Sequence, residues 1–286
     1  MSKHLIITEK QFTKLVTEIG EVITTKKIRG YSFDWDDNIL FMPTEIRMEK
    51  KDGLDWIPVN VSTEDFAIIR DDSDYRLTDY SFMDFAEPQT FISDVKKAIE
   101  NKKFAPSFEK FKESLIYANP FSIITARGTP PHAIKEGVRL LIGMTFEPNE
   151  VKFMLENIEK TYPSTQDMTM EERIDFYLSQ NDYSPVSSKE FRDKFGLDSK
   201  ADKPEEGKKI ALRDYVKKVV EGVKKLTNGE YDRLSIGFSD DDRRNIEAII
   251  DFIKKELRIE YPGVEFFIYD TSKGEKNKII VSKLDD

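Results

Sequence analysis

Residues 31–40 read Tyr31-Ser32-Phe33-Asp34-Trp35-Asp36-Asp37-Asn38-Ile39-Leu40, an apolar strand that runs directly into carboxylates. Asp34 and Asp36 are spaced i, i+2, so they share one face of a strand, and a turn at the strand end can bring both to one point. One carboxylate can then act as a nucleophile and the other as a proton donor, which suits phosphoryl transfer, and the pair also offers hard oxygen ligands to Mg²⁺. Taken alone, the segment is also typical of a solvated turn or a helix cap.

Two later segments are built in the same way. Residues 120–128 read Pro-Phe-Ser-Ile-Ile-Thr-Ala-Arg-Gly, a short apolar strand that ends on Thr125. Residues 234–246 read Leu-Ser-Ile-Gly-Phe-Ser-Asp-Asp-Asp-Arg-Arg-Asn-Ile, a strand that ends on Asp240 and Asp241. Ligands of open parallel sheets bind beyond the carboxyl ends of the strands. We therefore expect the three polar strand ends to build one site.

Composition narrows the class of protein. A chain of 286 residues with 38% hydrophobic and 35% charged residues can fold around one large core, or around one core and a smaller accessory domain. The net charge of −9 makes nucleic acid an improbable partner, because phosphate backbones need a basic surface. Without cysteine, disulfides and thiol chemistry are excluded, and two histidines argue against a multi-histidine metal centre. No run is apolar enough for a membrane span and no secretory leader is visible, so we expect a cytoplasmic protein.

Strand and helix signals alternate along the chain. The alternation predicts an α/β fold, a Rossmann-like parallel sheet with helices on both faces. Residues 1–27 are predicted to contribute an N-terminal helix, at about 9–25, that packs on the core. The predicted core elements are strands at 30–35, 121–125, 151–155, 234–238 and 264–269 and helices at 130–142, 208–226 and 244–257.

Two segments are too long for simple crossovers or loops. Residues 46–114 and 157–204 are therefore predicted to form inserted cap or flap elements outside the sheet. A turn signal at Lys51-Asp52-Gly53 predicts a hairpin over residues 44–61. The remaining core domain is expected to comprise residues 28–45, 115–156 and 205–286.

These motifs resemble those of the haloacid dehalogenase superfamily, whose members are mostly phosphatases with a Rossmann-like core. Residues 34–38 resemble its first motif, Asp-x-Asp-x-Thr/Val, although Asn38 stands where the family often has Thr or Val. Residues 121–125 resemble the second motif, an apolar strand that ends in Thr or Ser. Residues 240–245 resemble the fourth motif in its Asp-Asp-x-x-x-Asn form, and the third motif is a lysine at a helix start. The resemblance implies a Mg²⁺-dependent phosphomonoesterase that acts on a small phosphorylated substrate.

The resemblance also implies roles for the site residues. Asp34 would attack phosphorus and form an aspartyl-phosphate, while Asp36 would protonate the leaving oxygen and then activate water. Mg²⁺ would be held by Asp34, by the backbone carbonyl of Asp36 and by Asp241, with Asp240 as the alternative ligand. The Thr125 hydroxyl and the motif lysine would hold the phosphoryl oxygens.

Several assignments stay open at this level. Lys208 is the first choice for the motif lysine, since it lies on the inward stripe of its helix, and Lys209 is the second. Lys209, Asn245 and Arg127 are candidate substrate contacts; Asn245 follows Asp241 by one helical turn and could bind a metal-bound water. A structural ion pair is the alternative for Arg127. Trp35 is expected to pack in the core, with stacking on a substrate base as the alternative.

Two further functions compete with a small-molecule phosphatase. Residues 125–128, Thr-Ala-Arg-Gly, also resemble the second motif of end-processing phosphatase domains, which suggests a nucleotide or polynucleotide end phosphatase. The third possibility is a non-catalytic binding or assembly module that keeps the fold. The retained pair of carboxylates argues against that module, because clustered acids repel one another and have no structural need to persist. The sequence does not indicate an oligomeric state.

Overall fold

The computed structural model describes residues 27–198, 203–227 and 233–282. The helix predicted at about 9–25 lies outside the described residues. Across the described ranges, no helix combines the length and the apolar character that crossing a membrane requires.

The strands of the described chain form two separate sheets. In chain order they are β1 (Lys27–Phe33), β2 (Ile46–Asp52), β3 (Asp55–Val61), β4 (Tyr75–Leu77), β5 (Phe121–Thr125), β6 (Asp182–Pro185), β7 (Arg233–Asp240), β8 (Val264–Asp270) and β9 (Asn277–Ser282). The main sheet has the order β6-β5-β1-β7-β8-β9 and is parallel except for the antiparallel pair of β8 and β9. A mixed α/β fold with a mostly parallel sheet is therefore confirmed.

Helices flank the main sheet, except for the first, which packs on the small one. They are α1 (Thr63–Ile69), α2 (Pro88–Glu100), α3 (Phe108–Ile116), α4 (Pro131–Thr145), α5 (Pro148–Thr161), α6 (Met170–Ser179), α7 (Lys189–Phe195), α8 (Pro204–Thr227), α9 (Arg243–Phe252) and α10 (Arg258–Glu260), with a π-helical turn over Ile253–Leu257. Helices α2 to α6 supply one buried apolar cluster and α7 to α9 supply another. Ile123 belongs to the first cluster and Ile124 to the second, and successive residues of a strand point to opposite faces. The two clusters therefore lie on opposite sides of the sheet.

The small sheet has the order β3-β2-β4 and lies apart from the main one. The predicted hairpin is confirmed: β2 and β3 pair from Ile46 with Val61 to Asp52 with Asp55. Gly53 begins the connection at a φ of 63°, a left-handed conformation that glycine adopts without strain. One face of this sheet is buried through Ile46 and Met48, which pack with Phe85 and with α1.

The strand predicted at 151–155 is wrong, because these residues lie within α5. Pro148 occupies the first turn of that helix, and Glu147 and Glu150 form a capping box. Met154 and Ile158 are the buried apolar residues, a spacing of four that suits one face of a helix. The apolar run at 151–155 is too short to show a helical period, so the sequence pattern alone favours a strand there.

The predicted insertions are also smaller than expected. Within 157–204, β6 pairs in parallel with β5 and forms an edge of the main sheet. Within 46–114, α2 and α3 pack in the first apolar cluster through residues such as Phe91 and Phe111. The sequence pattern does not predict β6, because Asp182-Tyr-Ser-Pro is short and polar, as edge strands commonly are.

Candidate active site

Hydrogen bonds fix the loop after β1 against the ends of β7 and β8. The Asp34 N–H donates to the carbonyl of Ser239 at 2.8 Å. The buried Asn38 side chain donates from Nδ2 to the carbonyls of Asp34 at 3.0 Å and Ser239 at 3.2 Å. Its Oδ1 accepts from the hydroxyls of Ser239 at 2.9 Å and Thr271 at 3.0 Å. Asn38 thus holds the loop together, and Asp37 completes the turn at a φ of 53°.

Three carboxylates converge beyond the ends of β1 and β7. Oxygens of Asp34, Asp240 and Asp241 all lie within 4.8 Å of one another. Strand register explains this convergence, because Phe33 is paired with Ser239 and each is followed by an acid. Asp34 Oδ1 is buried, and the described residues offer it no hydrogen-bond partner. Hard oxygens gathered in this way, one of them without a partner, form a donor set that fits Mg²⁺.

Lys208 lies between two of these carboxylates. Its Nζ donates to Asp34 Oδ2 at 3.0 Å and to Asp240 Oδ2 at 2.7 Å, and the side chain is fully buried. Lys209 instead pairs with Glu206 at 2.6 Å on the solvent side of α8. Of the two candidate lysines, the structure brings Lys208 to the acidic cluster and leaves Lys209 outside it.

The electrostatics of the cluster are dominated by burial. Burial raises the pKa of Asp34 to about 7; Lys208 opposes this rise, and Asp240 and Asp36 add to it. Burial, with repulsion from Asp240 and Asp34, also raises the pKa of Asp241 well above its usual value. Burial alone would lower the pKa of Lys208, but Asp240 and Asp34 outweigh it, so the net pKa is raised. One ammonium faces three carboxylates, so a divalent cation would favour their ionised forms.

Asp36 lies outside this acidic cluster. Both of its carboxylate oxygens accept from Arg127, from Nε at 2.8 Å and from Nη2 at 2.7 Å. Arg127 is only 1% exposed at its side chain, against 14% for Asp36. Of the two possibilities left open for Arg127, the ion pair is the contact that the structure contains.

Two other predicted residues lie close to the cluster. Thr125 ends β5 and is buried, two residues beyond Ile123, the partner of Phe33 in β1. Its hydroxyl accepts from the backbone N–H of Arg127 at 3.3 Å. Asn245 donates from Nδ2 to Asp240 Oδ1 at 3.1 Å, so it orients a carboxylate of the cluster. Trp35, which is fully buried, packs against Phe91 and has no surface for stacking a base.

Contacts from the α1 region to the site could not be found from the sequence. The Thr63 hydroxyl donates to the Asp37 carboxylate. Arg70, just after α1, pairs with both oxygens of Asp242 at 2.8 and 3.2 Å, next to Asp241. Burial raises the pKa of Asp37 to about 6, and the Thr63 hydrogen bond opposes this rise. No local motif indicates such pairs, because the partners are far apart in the chain.

Comparison with protein-family models, with curated proteins and with solved structures found no match. The geometry of the acidic cluster, Lys208 and the Asp36–Arg127 pair therefore carries the functional argument.

Proposed function

We propose that this protein is a Mg²⁺-dependent phosphomonoesterase of the haloacid dehalogenase type, acting on a small phosphorylated substrate. The observation that carries the proposal is the convergence of Asp34, Asp240 and Asp241 around Lys208 at the carboxyl ends of β1 and β7. A solvated turn or a helix cap would not bury the Asp34 and Asp240 carboxylates against a buried lysine, with the half-buried Asp241 beside them, because desolvation of charges is costly.

The cluster supplies the metal ligands. Asp34, through its unpartnered Oδ1, would hold Mg²⁺ together with Asp241, and Asp240 is the remaining candidate. When bound, Mg²⁺ would offset the repulsion between carboxylate and phosphate and polarise the phosphoryl group. Asp240 already accepts from Lys208 and Asn245, so it is better placed to orient these groups than Asp241, whose carboxylate has more freedom to ligate.

Asp34 is the nucleophile in this proposal. Its carboxylate is fixed by Lys208 at one oxygen, and the backbone on either side is fixed by Ser239 and Asn38. Attack of the carboxylate on phosphorus forms an aspartyl-phosphate and breaks the bond to the leaving oxygen. Lys208 and the Thr125 hydroxyl would hold the phosphoryl oxygens as charge develops on them.

Asp36 is the acid and base of the two steps. In the first step it gives its proton to the leaving oxygen, and in the second it takes a proton from the water that attacks the aspartyl-phosphate. The loop geometry supports this division, because Asp36 is separated from the metal-ligand cluster and is paired with a different cation, Arg127.

The small sheet with α1 is the candidate cap. Arg70 and Asp242 connect the α1 region to the loop after β7, and Thr63 connects it to Asp37. These contacts support a role in choosing the substrate, because they bring the module to the rim of the acidic cluster.

The test is hydrolysis of 4-nitrophenyl phosphate by the full chain. Activity should require Mg²⁺ and disappear on chelation, and Asp34→Asn should abolish it because no charged nucleophile remains. Lys208→Ala should lower kcat by about 10²-fold or more, the size found when one transition-state donor is removed. Lys209→Ala is the matched control on the same turn and should retain parental activity. A parent inactive on any phosphomonoester with Mg²⁺ present would instead favour a non-catalytic module.

A further inference from the structure

Arg127 is a buried cation whose main partner is the proposed acid and base. Nε and Nη2 of its guanidinium each bind one oxygen of Asp36, at 2.8 and 2.7 Å. Such two-point pairing of a planar guanidinium with a carboxylate fixes the orientation of the carboxylate as well as its position.

The guanidinium is itself held from several directions. Nη2 also donates to the Thr44 hydroxyl at 2.8 Å, and Thr44 in turn donates to the buried Asp94 at 2.8 Å. The rings of Phe85 and Phe91 lie 4.8 and 5.0 Å from the guanidinium carbon. Asp36 is thus fixed by a cation whose own plane is fixed, which is how supporting residues make a reactive group precise.

We infer that Arg127 is a positioning residue that acts through Asp36, and that it does not hold the phosphoryl group of the substrate. This inference rests on the proposed phosphatase function. Two of the guanidinium nitrogens are already engaged by Asp36, and the side chain is almost completely shielded from solvent. Nη1 remains: it is buried and has no hydrogen-bond partner among the described residues, so it is the donor through which a direct substrate contact would have to occur.

The pairing fits both proton-transfer steps. When Asp36 carries the proton, one oxygen can keep its hydrogen bond from Arg127 while the hydroxyl of the other donates to the leaving oxygen. When the proton has been given away, both oxygens again accept from Arg127, and the carboxylate is held where it can take a proton from the attacking water. A carboxylate without this pairing would sample other rotamers and lose alignment in each step.

A double-mutant cycle tests the inference. Arg127→Lys keeps the buried positive charge but loses the two-point contact. In the parent background it should lower kcat by about 10²-fold, as expected for a misplaced catalytic group, with KM changed by less than about threefold. In an Asp36→Asn background the same substitution should change kcat by less than about twofold, because the group it positions is already gone. Losses that multiply in the double variant, or a large rise in KM, would overturn the inference.

The leaving group provides a second readout. 4-Nitrophenolate is a good leaving group that departs without taking up a proton. Phenolate is a poorer leaving group, so its departure depends much more strongly on proton donation by an acid. The first step, formation of the aspartyl-phosphate, is reported by kcat/KM, because the second step is the same for both substrates. Arg127→Lys should therefore lower kcat/KM several-fold more for phenyl phosphate than for 4-nitrophenyl phosphate, as Asp36→Asn should. Equal losses of kcat/KM on both substrates would identify Arg127 as a phosphoryl contact and contradict a positioning role.

Two more variants distinguish a loss of Asp36 positioning from a general loss of folded protein. Thr44→Val is near-isosteric and removes the third hydrogen bond of Arg127 together with the bond from Thr44 to Asp94, so it should give a smaller loss with the same dependence on the leaving group. Arg213→Lys breaks a comparable arginine–carboxylate contact with Glu260, away from the site, and should leave kcat unchanged. A parent without phosphatase activity would overturn the proposed function together with the inference, whereas an active parent with multiplicative losses would overturn the inference alone.

Discussion

At the scale of single residues, the ion pair of Asp36 gives the acid a structural role as well as a chemical one. Asp36→Asn leaves the Arg127 guanidinium buried without a charged partner. Removing one member of a buried pair typically costs about 3–5 kcal/mol, and solvent at Asp36 places the expected loss at the low end, about 3 kcal/mol. Urea unfolding monitored by circular dichroism measures this free energy.

The matching control also removes the positive charge of Arg127, which Asp36→Asn leaves without its partner. Asp36→Asn combined with Arg127→Met should recover much of the lost stability, because an apolar side chain can replace a buried ion. Since carboxylates lie nearby, the sequence alone suggests that Asp36→Asn would relieve repulsion and stabilise the fold. An Asp36→Asn variant as stable as the parent would support that simpler view and contradict the structural role of the pair.

The acidic cluster also predicts how stability depends on pH. Burial raises the pKa of Asp34 from 3.8 to about 7 in the metal-free protein, so the folded state binds its proton more tightly than the unfolded state does. Stability of the metal-free protein should therefore fall as pH rises from about 4 to about 7, and this contribution should be constant above that.

Thermal unfolding at several pH values tests this slope. Asp34→Asn should make it shallower, because asparagine does not titrate, and the raised pKa values of Asp241 and Asp37 should account for the slope that remains. Mg²⁺ binds the ionised carboxylates, so the stabilisation it gives should grow across the same pH range. Equal stabilisation by Mg²⁺ at pH 4 and pH 7 would argue against a site at Asp34.

At the scale of elements, the start of α8 determines where Lys208 lies. A Cβ on Gly207 would come within 2.7 Å of Val186 Cβ, just after β6. Gly207→Ala should therefore push the start of α8 away from β6, displace Lys208 from Asp34 and lower kcat. A shift of about 1 Å at a catalytic group can cost about 10²-fold.

Gly222 provides the control within the same helix. No described residue lies within 4 Å of a Cβ built there, so Gly222→Ala should leave kcat unchanged and stabilise the protein by up to about 1 kcal/mol through helix propensity. Assays of both variants on 4-nitrophenyl phosphate, with unfolding curves, compare them directly. Parental kcat in Gly207→Ala would show that the close approach of α8 to β6 is unimportant for the site.

Elements differ in how far the sequence predicts them. β1, β5 and β7 were predictable because buried parallel strands read as apolar runs and their polar ends mark the ligand edge of the sheet. The strand predicted over 151–155 is part of α5, because a short apolar run does not distinguish a strand from a buried helix face. β6 lies at an edge of the sheet, where polar residues are tolerated, so Asp182-Tyr-Ser-Pro had no clear signal.

At the scale of the whole molecule, the fold brings residues that are far apart in the sequence together in one site. Neighbouring parallel strands bring Asp34 beside Asp240, and a helix that crosses their ends adds Lys208. These residue types and strand ends could be predicted from the sequence. The pairing of Asp36 with Arg127 and the engagement of Asn38 with Ser239 could not, because each depends on which side-chain rotamers the packed core allows.

The covalent step of the proposed reaction can be observed directly. The full chain is mixed with Mg²⁺ and 4-nitrophenyl phosphate, quenched during turnover, treated with borohydride and digested for peptide mass spectrometry. Borohydride reduces an aspartyl-phosphate to homoserine, so the modified position identifies the nucleophile. We expect homoserine at position 34 only, and only when substrate and Mg²⁺ are both present. Continued turnover with Asp34 unmodified, or modification at another acid, would contradict the assignment of Asp34 as the nucleophile.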